Sequence, residues 1–400
     1  MELTVTAARR SAARMLPHTP RAFYRTAINA FFFVMGMIFA SWAVRIPDIK
    51  ASLHMSDAAL GSVLLAAPLG EMLSIVPTAW LIARLRSRRV ILLGLALLPC
   101  ALLCLSLAAG PRWLAVALLG FGFANNMLNI SLNAQAVGVE TLYGRSIMAT
   151  FHGMWSLGGV AGCLIGSVLA PLGVAPLPHF AAILVLTLAT LCCLRSWTLP
   201  REVRIGASAP DRPKTAFRPD LYLTLLGCIA LGSMATEGAM YDWSSVYFAQ
   251  VVRPGESLIR AGYLACMCAM VTGRLLADGL VNRFGVTPVL QLSGLCIAAG
   301  LSLALLRPSL LPATAGLALV GFGMASVIPL CYSLAGRSSR VPPSVGISLV
   351  SSLSFLGFLG CPPMVGFLSQ QFDLRWALSP IVLFGLAIFC LAPLVRRIRA

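Results

Sequence analysis

Long runs of hydrophobic residues, separated by short polar segments, fill almost the whole chain. Twelve runs are each long enough to cross a bilayer, whose hydrocarbon core of about 30 Å needs about 20 residues of helix. We predict membrane spans, numbered 1 to 12, at residues 23–44, 58–83, 90–109, 113–137, 147–170, 178–194, 222–248, 259–281, 289–306, 311–334, 345–368 and 377–395. The pattern predicts an all-α membrane protein with twelve transmembrane helices.

The composition argues against a soluble catalytic domain. Hydrophobic residues make up 58% of the chain and charged residues 11%, far from the mix of a soluble domain. No segment between the runs is long enough to form its own core. The sequence carries no nucleotide-binding loop, metal-ligand spacing or nucleophile motif. We therefore expect a protein that is not an enzyme and that needs no cofactor or metal.

The basic residues alternate in density along the chain. Of the 30 lysines and arginines, 23 lie in the two tails and at the ends of even-numbered spans. The positive-inside rule then places both termini in the cytoplasm, as an even number of spans requires. The formal charge of +17 therefore reflects topology in the lipid bilayer, and we expect no nucleic-acid partner.

The chain resembles a duplicated half. The sequence GFGFA at 120–124 in span 4 recurs as GFGMA at 321–325 in span 10. Parallel repeats of this kind are typical of transporters whose solute site lies near mid-membrane between the halves. The predicted organisation is a cytoplasmic tail, a six-helix bundle, a cytoplasmic linker, a second pseudo-symmetric six-helix bundle and a short cytoplasmic tail, at residues 1–22, 23–195, 196–220, 221–395 and 396–400.

Two sets of motifs resemble a known family. The segment GRLLADGLVNRFG at 273–285 resembles the inter-helix signature of the major facilitator superfamily, with Asn282 in place of the usual Asp. A degraded copy, ARLRSRR, occupies 83–89. The segments NAQAVGVE at 133–140, WAVRIP at 42–47 and EGAMYDW at 237–243 look like a little-characterised bacterial subgroup of that superfamily. The resemblance implies secondary transport across a bacterial plasma (inner) membrane.

Span 7 carries the first unusual polar group. Glu237 lies near its middle, and Ser233, Tyr241 and Ser244 fall on the same helical face. An ionisable group at mid-membrane typically marks a transport pathway, and a carboxyl there is suited to carrying a proton. The alternative is a protonated acid that only holds helices together. Glu237 is thus a candidate for proton coupling, and Ser233 and Tyr241 for solute binding.

Span 4 carries four asparagines in nine residues, at positions 125, 126, 129 and 133. Amides offer both hydrogen-bond donors and acceptors, which suits an uncharged, hydroxyl-rich solute. The alternative is hydrogen bonding between helices. For Asn125 and Asn129 both interpretations stay open, whereas for Asn133 we favour the structural one.

Span 5 places His152 on a face with Ser156, and Trp155 lies beside it. Histidine can move a proton or bind a solute, so His152 and Trp155 are candidates for the solute site. His152 also lies near the cytoplasmic end of the span, where it can instead bond Glu140 or Arg145.

Glu71, near the centre of span 2, shares a face with Ser74 and Thr78. It is a second candidate for proton coupling or a partner for another helix. We expect Asp242, Arg45 and Asp48 near the outer mouth, where they guide solutes or form a solvated rim.

The family resemblance also implies a cytoplasmic gate whose ion pairs form when the cavity opens outward. Its candidate residues are Arg84, Glu140, Arg145, Arg274, Asp278 and Arg283. Arg274 and Asp278 are four positions apart, so we expect them to pair on one helical face.

The predicted function is alternating-access transport of a small polar solute, coupled to H⁺ in the manner of a symporter, by a monomer. One alternative is export of amphiphilic drugs or metabolites, which Met35, Met37, Met234 and Met240 favour. Another is a non-transporting membrane receptor of the same fold, to which the degraded first-half motif points.

Overall fold

The computed structural model describes residues 21–144, 147–200, 221–336, 338, 341 and 343–399. Over these residues the secondary structure is helical throughout. Most of the predicted N-terminal tail, most of the predicted linker and Arg145 lie outside the described residues.

The described helices reproduce the predicted spans. They are Arg21–Ala43 (span 1), the short helix Ile46–Ser52, Asp57–Leu64 and Ala66–Ser106 (spans 2 and 3), Pro111–Tyr143 (span 4), Met148–Leu169 (span 5), Pro176–Leu194 (span 6), Leu221–Tyr247 (span 7), Ala261–Phe284 (span 8), Val286–Leu306 (span 9), Leu310–Met324 and Val327–Ala335 (span 10), Pro343–Phe372 (span 11), the short helix Leu374–Ala377, and Ser379–Arg399 (span 12).

Within the described residues, 11 helical segments are long and apolar enough to cross a membrane. One of them, Asp57–Ser106, is 50 residues long, which is far more than a single crossing needs. Its backbone leaves helical geometry at Arg86, with φ 69° and ψ 153°. Spans 2 and 3 therefore meet at Arg86, and the segments are consistent with twelve crossings.

Local sequence explains where several helices begin and bend. Span 2 begins after Ser56, whose Oγ accepts a hydrogen bond from the backbone N–H of Ala59 at 3.2 Å. The short helix Ile46–Ser52 has a proline in its first turn, where the missing N–H would have no helical partner. Pro362 and Pro363 lie inside span 11 and remove two backbone donors from it.

The spans pack as two groups of six. In the first half span 1 packs on span 5, and spans 2 and 3 pack on span 4; in the second half span 7 packs on spans 11 and 12, and span 10 on spans 8 and 9. The two halves meet where span 2 packs on span 11 and span 5 on span 8. We call this boundary the seam. We call the membrane face that carries Arg84 and Arg283 the basic face, and the other the opposite face.

Close packing of spans 1 and 5 depends on a glycine. A Cβ at Gly158 would overlap the backbone carbonyl of Phe33, which cannot move away as a flexible side chain would. Gly153, on the same span, has open space around the corresponding position. Of these two glycines, Gly158 is therefore the one that the contact between the helices requires, as it also requires Gly36 and Gly162.

We predict that Gly158→Ala lowers the melting temperature of the purified protein in detergent, because overpacking a tight contact costs about 1–3 kcal/mol. Gly153→Ala is the matched control and leaves the melting temperature unchanged or slightly raised, since Ala favours helix over Gly. Equal melting temperatures for the two variants would contradict the packing described.

Candidate functional site

A polar centre lies in the seam between spans 5, 7 and 8. The Nη1 group of Arg274 donates to Ser156 Oγ at 2.6 Å, which joins the second half to the first. Arg274 Nη2 lies 3.6 Å from Glu237 Oε1, and that same oxygen accepts a hydrogen bond from the Tyr241 hydroxyl at 2.6 Å. The side chains of Arg274 and Glu237 are 29% and 14% exposed, so both remain in part accessible.

Aromatic rings surround this centre. The ring of Phe39, on span 1, lies 5.2 Å from that of Tyr241 and 6.1 Å from that of Trp155. Trp155 therefore lies beside the polar centre, as expected of a candidate for solute binding. The combination of a few charged or hydroxyl groups with aromatic walls is typical of sites for small molecules.

Of the polar residues that share the face of Glu237 on span 7, only Tyr241 bonds it. Tyr241 bonds Glu237, as their spacing of four residues suggests. Ser244 instead donates to the backbone carbonyl of Met240, and the buried Ser233 hydroxyl has no hydrogen-bond partner among the described residues.

The side chain of His152 is exposed, and its ring lies 5.4 Å from that of Phe32. It lies within electrostatic reach of Arg274 in the polar centre. Glu140, the partner we considered for it, instead accepts hydrogen bonds from the backbone N–H groups of Ile147 and Met148 at 2.8 and 2.9 Å. The backbone carbonyl of His152 does reach the polar centre, because it accepts a hydrogen bond from Ser156 Oγ at 3.2 Å.

A second polar group joins spans 2 and 4. Asn125 Nδ2 donates to Glu71 Oε1 at 2.9 Å, and Asn126 Nδ2 donates to Ser74 Oγ at 2.8 Å and to the backbone carbonyl of Glu71 at 2.9 Å. Sequence reasoning had found no clear partner for Glu71, because periodicity does not show which helix lies opposite. These contacts favour bonding between helices as the role of Asn125.

The two remaining asparagines bond within span 4. Asn133 Nδ2 donates to the side-chain and backbone carbonyls of Asn129, both at 2.9 Å. Asn133 therefore bonds within its own helix, whereas the structural role that we favoured for it was bonding between helices. It also occupies one acceptor of Asn129, whose side chain is half-buried.

Asp242, which we expected near the outer mouth, lines a small cavity of about 20 Å³ together with Glu71. Four aromatic and three aliphatic residues line the rest, and they are Phe39, Trp42, Phe121, Phe358, Leu64, Ala67 and Pro68. Both halves contribute to this cavity, so two carboxyls face one space inside the seam.

An ion-pair network closes the seam at the opposite face. Asp48 binds two arginines, with Arg45 Nη1 at 2.8 Å and Arg260 Nη2 at 2.5 Å. Arg45 belongs to the first half and Arg260 to the second, and each is only 2% exposed. Arg260 Nε also donates to the backbone carbonyl of Val44 at 3.1 Å. Arg45 and Asp48, which we expected at an outer rim, thus form part of a buried seal.

Asp57, at the start of span 2, forms a second link across the same face. It pairs with Lys50 of its own half, and it accepts hydrogen bonds from Gln250 Nε2 at 3.1 Å and from Ser369 Oγ, both of the second half. Beneath it the backbones of spans 2 and 11 touch at Gly61 and Gly366. A Cβ on Gly366 would come within 2.6 Å of the Asp57 carbonyl and 2.9 Å of Gly61 Cα.

Two of the candidate gate residues on the basic face contact rings of their own halves. Arg84 lies over the ring of Trp80 at 5.3 Å, and Arg283 lies over that of Phe284 at 5.3 Å. Between described residues, the hydrogen bonds and ion pairs that join the two halves lie at the level of Ser156 and Arg274 or nearer the opposite face.

The expected pair of Arg274 and Asp278 does not form. Asp278 is exposed, and no described residue forms a salt bridge with it. Arg274 instead reaches into the seam, where its partners are Ser156 and Glu237. A spacing of four permits an ion pair, but it does not decide between that pair and a partner on another helix.

The family model of the major facilitator superfamily matches residues 26–345. The chain belongs to the major facilitator superfamily. It is 34% identical to an uncharacterised MFS-type transporter of Yersinia pestis over 92% of this chain and 94% of that protein. It is 29% identical to membrane protein MosC of Rhizobium meliloti over 94% of this chain and 91% of the relative. The chain is therefore a multi-pass membrane protein of a transporter family.

Solved structures share the fold. A bacterial homologue of the human lysosomal transporter Spinster, crystallised inward-facing and occupied, matches with a TM-score of 0.74 at 15% identity over 94% of this chain and 97% of that one. The nucleoside transporter NupG matches with a TM-score of 0.71 at 11% identity over 94% and 99%. At these identities the likeness shows the fold alone.

We predict that Asp48→Asn lowers the melting temperature of the purified protein. The substitution leaves two buried arginines with a weaker, neutral acceptor, and a hydrogen bond to a charged group contributes about 1.5–3 kcal/mol. Asp278→Asn is the control and has little effect, because Asp278 is exposed and forms no salt bridge with a described residue. A melting temperature for Asp48→Asn equal to that of the control would show that the network does not hold the halves together.

Proposed function

We propose that this protein is a secondary active transporter that moves a small polar solute by alternating access, coupled to protons. The observation that supports the proposal best is the contact of Arg274 with Ser156 across the seam, next to Glu237. A charged, hydrogen-bonding centre between two similar halves is where transporters built from repeats bind their solute.

The chemistry of the centre favours a solute with hydrogen-bonding groups. An arginine has five N–H donors, and Arg274 uses one on Ser156 while keeping a long contact of 3.6 Å with Glu237. A solute oxygen can take up the remaining donors. Tyr241 and Trp155 supply a hydroxyl and an aromatic surface beside them, and Asn129 and His152 stay candidates for further contacts with the solute.

Proton coupling in this proposal runs through Glu237, with Glu71 as a second carboxyl. When Glu237 is ionised it attracts Arg274, and when it is protonated that attraction is lost and Arg274 can bind the solute. A change of one proton thereby changes the affinity for the solute, which is the requirement for coupling.

The cycle closes through the residues of the basic face. Arg84, Glu140, Arg145, Asp278 and Arg283 would come together when the opposite face opens, as the family resemblance implies. The excess of basic residues on this face supports its assignment to the cytoplasm, in a bacterial inner membrane. We propose that a single chain is the functional unit, since the candidate site lies within it.

Export of amphiphilic compounds is the second candidate function. It is favoured by the aromatic walls of the cavity in the seam and by the contact of the Tyr241 hydroxyl with Met270 Sδ at 3.9 Å. Thermal-shift measurements separate the two candidates. We expect glucose, sorbitol, uridine or ethanolamine to raise the melting temperature more than tetraphenylphosphonium does, because a ligand that binds only the folded state stabilises it. The reverse order would favour the exporter.

We predict that Glu237→Gln abolishes pH-driven accumulation of the stabilising compound in proteoliposomes but keeps its counterflow. Glutamine preserves the hydrogen bond from Tyr241 but cannot exchange a proton. Glu256→Gln, in an exposed part of the opposite face, is the control and retains both activities.

Full accumulation by Glu237→Gln would remove this carboxyl from the coupling mechanism. Absence of counterflow in the unaltered protein, with every compound of the panel, would contradict transport and favour a receptor of the same fold.

A further inference from the structure

Two carboxyls from different halves face one small cavity in the seam. Glu71 comes from span 2 and Asp242 from span 7, and both line the space of about 20 Å³ together with aromatic rings. Asp242 also lies within electrostatic reach of Glu71. A space of this size holds about one water molecule. Both residues are only partly exposed, so two separate charges there would be poorly hydrated.

Neither carboxyl has a cationic partner. No described arginine, lysine or histidine lies within 4 Å of Glu71 or Asp242, in contrast to Glu237, Asp48 and Asp57. Two ionised carboxylates at this place would repel each other across a medium that solvates charge poorly, and a shared site of this kind holds at least one proton. Without a cation nearby, a proton bound to one of the two carboxyls is what removes the repulsion between them.

The hydrogen-bonding groups of the site also lack a donor. Asn125 donates to Glu71 Oε1 with its Nδ2. Its own Oδ1 is buried and accepts no hydrogen bond from a described residue, and Asn125 as a whole is only 9% exposed. No described group donates a hydrogen bond to the carboxylate of Asp242. The site thus contains several acceptors around one donor, and the O–H of a protonated carboxyl is the donor that is missing.

We propose that Glu71 and Asp242 form a proton-binding site shared between the two halves, which keeps the opposite face closed while the proton is bound. Loss of the proton to water leaves two carboxylates that repel, and the halves separate at that face. The proposal rests on the proposed function, because it places one of the transported protons in the seam. It adds Asp242 to the residues of the transport cycle.

Other titratable groups near the pair do not replace the missing cation. Tyr263 of span 8 and Cys361 of span 11 lie within electrostatic reach of Asp242, and both are neutral or negative when they titrate. Glu237 and Tyr241, further along span 7, bond each other, and Arg274 is occupied by Ser156 and Glu237. Span 4 contributes only the neutral amides Asn125 and Asn126.

Hydrogen exchange of the full-length protein in lipid nanodiscs, without any solute, tests the proposal. In the unaltered protein we expect residues 57–64 of span 2 and 362–372 of span 11 to lose protection as the pH rises, because the pair loses its proton. In Glu71→Gln and in Asp242→Asn only one carboxyl is left, so we expect the pH response to vanish and protection to persist. Each variant is compared with the unaltered protein at the same pH, which cancels the intrinsic effect of pH on exchange.

Infrared difference spectra of the same samples report the proton itself. The carbonyl band of a protonated carboxyl should be present in the unaltered protein and in the control Glu256→Gln, and it should lose intensity in both pair variants. The proposal would be overturned if the protection of these segments did not change with pH in the unaltered protein. It would also be overturned if the change with pH survived in either pair variant. Because no solute is present, this result is independent of the counterflow measurement, whose failure would instead contradict transport.

Discussion

The cost of placing a charge in the hydrocarbon of a bilayer governs where the polar groups of this protein lie. An unpartnered ionised side chain at mid-membrane costs about 2.5–3.5 kcal/mol even on insertion scales. Several ionisable groups in or next to the spans, among them Glu71, Glu237 and Arg274, accordingly lie at the seam between the halves. Partners there are ion pairs, as between Asp48 and the two arginines Arg45 and Arg260, or hydrogen bonds, as between Glu71 and Asn125. The seam thus contains the polar interior of the molecule, and it is also the contact between the halves that changes during alternating access in the proposed function.

The two ends of the seam differ in how they are held. At the opposite face, ion pairs, hydrogen bonds and the touching backbones of Gly61 and Gly366 join the halves. At the basic face Arg84 and Arg283 lie over aromatic rings of their own halves. Contacts of this kind can be exchanged for others without disturbing the packing inside either half. Rigid halves with exchangeable contacts are what alternating access requires.

The membrane spans were predictable from the sequence, whereas most side-chain partners were not, and there is a physical reason for the difference. Hydropathy predicted the spans, and helical spacing placed Tyr241 on the face of Glu237. Periodicity describes only neighbours on one helix, so it left Glu71 without its partner Asn125 and paired Arg274 with Asp278. Asp242 is five residues from Glu237 and faces another direction, and only the cavity that both residues line shows that it lies near Glu71. Partners on different helices depend on a register that a single sequence does not specify.

The most direct test of the account is the distance between the halves at both faces, measured by electron–electron double resonance on spin labels in a cysteine-free background. One label pair, Ala175→Cys with Ser309→Cys, reports the opposite face, and another, Arg89→Cys with Asn282→Cys, reports the basic face; all four positions are exposed. Two populations, one with a long and one with a short distance, are expected for each label pair. As pH or a stabilising compound shifts their balance, the share of the long distance should rise at one face while the share of the short distance rises at the other. A single unchanging distance at both faces under all these conditions would contradict the account.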